Sequence, residues 1–157
     1  NSVVVNLRNI PRCDPKNVTD LEADNLYKIL VHLKARGEVD RIILMGNDAP
    51  LSMTWLPEFA LDLRNKLTLP EIAWLCRRSL FTVGKDSGIL HIAAAAGGYV
   101  IGWGYKVSQW RPLAPERRVT AIMEHPSYKH KLAEAIEILV TRRRICKVQY
   151  LPEGLTR

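Results

Sequence analysis

The chain has 157 residues, 47% of them hydrophobic and 25% charged, proportions that exclude a disordered or collagenous chain and fit an ordinary globular protein. That length holds one domain with a proper core and leaves little room for a second globular unit. Lys and Arg outnumber Asp and Glu by 23 to 16, a net charge of +7, which suits an anionic ligand, an anionic surface or nucleic acid.

In chain order, Ser2 to Leu7 is a short β-branched run and reads as a buried strand. After a turn-rich stretch from Asn9 to Asn17, Thr19 and Glu22 form a capping box that opens a helix. Leu26, Ile29, Leu30 and Leu33 recur along it at helical spacing, and Gly37 stops it. Arg41 to Met45 is a second buried strand, left through the turn Gly46-Asn47-Asp48. An irregular stretch from Ala49 to Glu58 leads to a short strand, Ala60 to Leu63.

Thr68 and Glu71 make a second capping box, with Pro70 in the first helical turn and Ile72, Ala73, Leu75 and Cys76 on the apolar face. Leu80 to Val83 is the next strand and runs into Gly84-Lys85-Asp86-Ser87-Gly88. The Ala-rich stretch Ile89 to Ala96 is a helix ended by Gly97-Gly98. Tyr99 to Trp103 is a strand, Gly104 to Glu116 a loop, Val119 to Met123 a strand, and Ser127 to Arg143 a helix with Leu132, Ile136, Leu139 and Val140 on one side. Arg142-Arg143-Arg144 then closes that helix, where cations complement its dipole. Strands alternating with helices in this way predict an α/β fold: a Rossmann-like parallel sheet with helices on both faces, in a single domain.

Cys13, Cys76 and Cys146 are odd in number and lack paired spacing, so reduced cysteines of a cytoplasmic protein are expected. No stretch approaches the roughly 20 apolar residues of a membrane span, and the chain opens on a strand-like run without a signal-peptide pattern. Any membrane contact is therefore expected to be peripheral, at the inner face. Asp14, Asp48 and Asp86 are dispersed, which predicts a site without metal or cofactor.

Ligands of an open parallel sheet bind at the carboxyl ends of its strands. Among those ends, Lys85-Asp86-Ser87-Gly88 is the most informative, because it places a cation, a carboxylate, a hydroxyl and a glycine in one strand-to-helix turn. His91 follows about one helical turn later. Unpaired N–H groups and a partial positive charge at a helix N-terminus suit a phosphate or diphosphate. Gly88 lets the backbone approach it, Ser87 hydrogen-bonds an anion, and Asp86 accepts from sugar hydroxyls. The same residues also read as a plain N-cap with a core histidine behind it.

The run Asp86-Ser87-Gly88-Ile89-Leu90-His91-Ile92-Ala93-Ala94-Ala95 resembles the donor-site signature D-[ST]-G-x-x-H-[LI]-A-A-A of the ADP-heptose:lipopolysaccharide heptosyltransferase family. Leu67 to Ala73 is similar to that family's L-T-x-x-E-L-A helix start, and the likeness is strongest over residues 67 to 103. It implies one half of a GT-B fold, the half that holds a nucleotide-diphosphate sugar. The acceptor-binding domain and the general base are then expected in a partner domain or subunit. By the same resemblance Asp86 contacts the sugar, Ser87, Gly88 and His91 line the diphosphate and sugar, Arg8 and Lys16 reach the diphosphate, and Gly46 and Asn47 border the nucleoside. Lys85 departs from the pattern, standing where the family has a small or apolar residue, and Gly102-Trp103-Gly104-Tyr105 replaces its F-G-P-T loop.

Related sugar or pyruvyl transferases, which share the strand followed by Asn6-Leu7-Arg8, and a non-catalytic relative are the near alternatives. Two more lie in other classes. A serine hydrolase would use Ser87 with His91, His125 or His130, but the residues flanking Ser87 are not those of a nucleophile elbow. A nucleic-acid module would stack bases on Trp103, Tyr105 and Trp110 beside Arg111.

Overall fold

The computed structural model describes residues 1–7, 18–46, 60–105, 119–123 and 128–149. Its elements are β1 (Ser2–Asn6), α1 (Asp20–Ala35), β2 (Arg41–Met45), β3 (Ala60–Asp62), α2 (Leu69–Arg78), β4 (Phe81–Lys85), α3 (Gly88–Ala95), β5 (Val100–Tyr105), β6 (Val119–Met123) and α4 (Tyr128–Gln149). The strands form one sheet in the order β3-β2-β1-β4-β5-β6, and each neighbouring pair is parallel.

Both faces are covered, which is why the strands read as continuous apolar runs instead of alternating ones. On one face Val3, Val5, Ile42, Leu44, Phe81, Val83, Ile101 and Trp103 pack beneath Leu26, Leu30 and Leu33 of α1 and Leu132, Ile136 and Val140 of α4. On the other, Val4, Ile43, Met45 and Val100 pack beneath Ile72 and Cys76 of α2 and Leu90, Ala93 and Ala94 of α3. Burial raises the pKa of the Cys76 thiol, so this cysteine is a core residue kept in its neutral form. Among the described residues no helix is long and apolar enough to cross a membrane.

Both expected capping boxes open their helices. Thr19 Oγ1 accepts from the amide of Glu22 at 3.2 Å while Glu22 Oε2 accepts from the amide of Thr19 at 2.8 Å. At α2 the amide and hydroxyl of Thr68 donate to Glu71 Oε2 at 2.8 and 2.6 Å. Three boundaries differ from the sequence reading by two residues or more. β4 runs on to Lys85 because Gly84 and Lys85 pair with Gly102 and Trp103 of β5, so Lys85 belongs to the strand and not to the turn after it. β5 likewise continues past Trp103 to Tyr105. Finally, α4 extends to Gln149, which places Arg142, Arg143 and Arg144 more than a turn inside the helix, beyond the reach of its C-terminal dipole.

Glu22 does more than cap α1. Its Oε2 also accepts from Lys85 Nζ at 3.1 Å, and its Oε1 accepts from Trp103 Nε1 at 3.0 Å. One carboxylate thereby ties the start of α1 to the ends of β4 and β5. The ion pair is largely out of water, with side-chain exposures of 14% for Lys85 and 13% for Glu22. Gly104, at φ +77°, leaves room for the Lys85 stem, since an added Cβ would lie 3.1 Å from its Cγ and Cε.

Two tests follow from these contacts. Glu22→Ala removes the carboxylate that accepts from a largely buried ammonium and an indole N–H, and it should destabilise the protein by about 3 kcal/mol. Lys85→Met leaves Glu22 with its other donors and should cost clearly less; equal losses in chemical denaturation would contradict the network. The hydrogen bonds from Thr68 lower the pKa of Glu71, so their contribution is complete above the ordinary glutamate range and fades as pH falls through the lowered folded-state value. Glu71→Gln should therefore flatten the acid limb of a stability-versus-pH curve.

Candidate functional site at the sheet switch point

The strand order reverses between β1 and β4. From β1 the chain passes to α1 on one face, and from β4 it passes to α3 on the other, so the helices diverge at the carboxyl ends of these strands, where open sheets of this kind form their ligand crevice. Asn6 closes β1, and Lys85 closes β4. Asp86 and Ser87 make the turn, and Gly88 begins α3. Gly46 is buried at the end of β2 with φ 143°, beside β1, whose Asn6 pairs with Met45. Arg8, Lys16 and Asn47 lie outside the described residues.

Ser87 is the N-cap residue of α3, with extended backbone at φ −162° and ψ 159°, yet its side chain makes no cap hydrogen bond. An N-cap serine ordinarily accepts from the second or third amide of its helix. Here Ser87 Oγ accepts from Asn6 Nδ2 at 2.6 Å, across the switch point from β1. The plain N-cap reading therefore does not describe this hydroxyl. Asp86 is 5% exposed, and its amide donates to the Trp103 carbonyl at 3.0 Å, which fixes the turn against β5.

Gly88 is exposed, and a Cβ added there would meet no atom of the described residues within 4 Å. Packing thus gives no reason for a glycine; open space in front of the first helical residue is what a ligand approaching the backbone requires. His91 is half-buried and stands three residues after Gly88, on the same side of α3, whereas the core contacts of this helix come from Leu90, Ala93 and Ala94. It is not a core histidine. Lys85 points to the opposite face, where it meets Glu22.

Two residues outside the expected set belong to this arrangement. Glu22 was legible as a cap but not as the partner of Lys85 and Trp103. Asn6 carried one usable signal: Gly84 sits inside a strand, which marks close approach of another group, and a Cβ there would lie 2.7 Å from the Asn6 carbonyl oxygen.

The readings from other classes lose their main supports. Ser87 Oγ is held by an amide, which cannot take a proton as a base would, and His130 is exposed on α4. Trp103 is 1% exposed and donates to Glu22, so it offers no face on which a base could stack. Trp110, Arg111 and His125 lie outside the described residues, as does the side chain of Tyr105. Among the described residues no three His, Cys, Asp or Glu side chains gather as a metal-binding group.

Comparison with known proteins places this segment within a family match. The model of glycosyltransferase family 9 (heptosyltransferase) matches residues 48–136, more than half of the chain and including Asp86 to His91. A glycosyl transferase of family 9 from Veillonella parvula is similar over 89% of this chain and 46% of its own, with a TM-score of 0.66 at 14% identity. E. coli ADP-heptose lps heptosyltransferase II is similar over 91% of this chain and 47% of its own, with a TM-score of 0.64 at 14% identity. The E. coli heptosyltransferase solved with ADP covers 88% of this chain with 43% of its own, at a TM-score of 0.62 and 18% identity. The chain thus spans slightly less than half the length of these structures, and the likeness is one of fold, that of a Rossmann-like half of a GT-B glycosyltransferase. A search among curated protein sequences finds no match. With the family model lying over the switch-point turn and the fold in agreement, the chain belongs to glycosyltransferase family 9, the heptosyltransferase family.

Proposed function

We propose that this chain is the donor-binding domain of a glycosyltransferase that moves a heptose-like sugar from a nucleotide diphosphate to an acceptor hydroxyl. The observation that carries the proposal is the position of the family's segment: Asp86 to His91 lies at the carboxyl end of β4, at the switch point, with an N-cap hydroxyl that does not cap its own helix. In this reading the acceptor-binding domain and the general base belong to another domain or subunit. The enzyme works at the cytoplasmic side of the inner membrane by peripheral contact, for which a net charge of +7 is suited.

In an inverting transfer a base removes the proton of the acceptor hydroxyl, whose oxygen attacks the anomeric carbon as the bond to the diphosphate breaks. The negative charge that develops on the leaving nucleotide diphosphate is the part this chain handles. The amides of Gly88 and Ile89 and the hydroxyl of Ser87 stabilise it without reorganising as charge grows, and the cations Arg8 and Lys16 add to that stabilisation. Asp86 and His91 hold the sugar, and Gly46 and Asn47 border the nucleoside. Lys85 stays paired with Glu22 on the far face of the sheet and holds the end of β4 in place.

Calorimetric titration of the 157-residue chain with ADP-, GDP-, UDP- and CMP-sugars tests the assignment. ADP-sugars should bind best. Asp86→Ala and His91→Ala should each weaken binding about tenfold, the worth of one hydrogen bond to a charged group. A folded sample that binds none of the four would refute the donor site.

A further inference from the structure

Asn6 is 2% exposed, and its carboxamide crosses from the end of β1 to the residue that opens α3. The crossing is possible because its partner in the β1–β4 register is Gly84; a side chain there would start 3.1 Å from Asn6 Cβ. A serine hydroxyl has one proton to donate and two lone pairs to accept with. Asn6 Nδ2 occupies one lone pair at 2.6 Å, and no amide of α3 is capped by Ser87 Oγ. Among the described residues the hydroxyl proton is therefore available in the direction of the helix N-terminus, where none of them comes within 4 Å of a Cβ placed on Gly88.

Resting on the donor-site reading above, we propose that Asn6 is a positioning residue of that site. It holds Ser87 Oγ as an acceptor, so that the hydroxyl proton is presented to a phosphate oxygen of the donor. Hydrogen-bond polarity is the essential point. An amide donor turns the serine proton outward, whereas a carboxylate in its place would only accept and would turn the proton inward.

The test is a double-mutant cycle on ADP affinity, measured by calorimetry with the whole chain, using Asn6→Asp, Ser87→Ala and the pair, with thermal unfolding to confirm that each variant is folded. Each single change should weaken ADP about tenfold, and the pair should lose little more than the worse single, because both remove the same directed proton. Relative to wild type at the same pH, the Asn6→Asp deficit should shrink on acidification, since a protonated carboxyl again donates to Ser87. Mere repulsion between the new carboxylate and ADP would give the same Asn6→Asp penalty with or without the Ser87 hydroxyl, and that result overturns the proposal. So does a wild-type affinity retained by Asn6→Asp; both outcomes leave the donor site standing. Absence of ADP binding to wild type overturns the donor site and this proposal together. If Asn6→Asp does not fold, Asn6→Ser, too short to reach Ser87, takes its place in the cycle with the same expected coupling.

Discussion

Everything at the functional end of this protein depends on one constraint of parallel sheets: strands that run side by side in the same direction must be joined by crossovers, and the crossovers share a hand. Growth from β1 toward β2 and β3 places α1 on one face, and growth from β4 toward β5 places α3 on the other. Between β1 and β4 the described helices diverge to opposite faces, and that divergence is a product of topology, whatever residues line it. What the sequence adds is the chemistry of the lining and the few contacts that cross it.

Two such ties stand on opposite faces. On the α1 side, Glu22 collects donors from Thr19, Lys85 and Trp103. On the α3 side, Asn6 reaches Ser87. Their energetic characters differ. A largely buried ion pair roughly offsets its own desolvation, so Glu22 and Lys85 define geometry more than they add stability. A neutral amide on a hydroxyl carries no such cost, and it leaves the turn free of net charge from that pair. At the opposite end of the sheet Arg36 bridges Glu38 and Glu137, joining the loop after α1 to α4, so that the helix pair on this face is fastened at a point remote from the crevice.

Local chemistry was legible in the sequence. Both capping boxes, at Thr19–Glu22 and Thr68–Glu71, rest on contacts three residues apart and formed where their spacing put them. The strand cores, from Val3 to Val5, Ile42 to Met45 and Phe81 to Val83, followed from β-branched and apolar runs. What escaped were consequences of register. Lys85 was read into a turn, but pairing with Trp103 keeps it in the strand and aims it at α1. Trp103 was read as the end of a strand, and only the nucleic-acid alternative made it a surface aromatic; the strand buries it and ties its indole to Glu22. The tie between Asn6 and Ser87 spans 81 positions and is invisible without knowing that β1 lies beside β4. At the site itself, the motif Asp86 to His91 was readable, and the direction of the Ser87 hydroxyl was not.

The close approach of Gly84 to Asn6 also shapes how this crevice can change over generations. A side chain gained at position 84 collides with the backbone at position 6 before any property of the ligand is felt. Loss of the Asn6 side chain removes only part of that conflict, because the nearer clash is with its carbonyl oxygen. Drift at these two positions is therefore ordered: Asn6 can vary while Gly84 stays, but Gly84 cannot vary first. The switch point is easier to retune from the β1 side than from the β4 side.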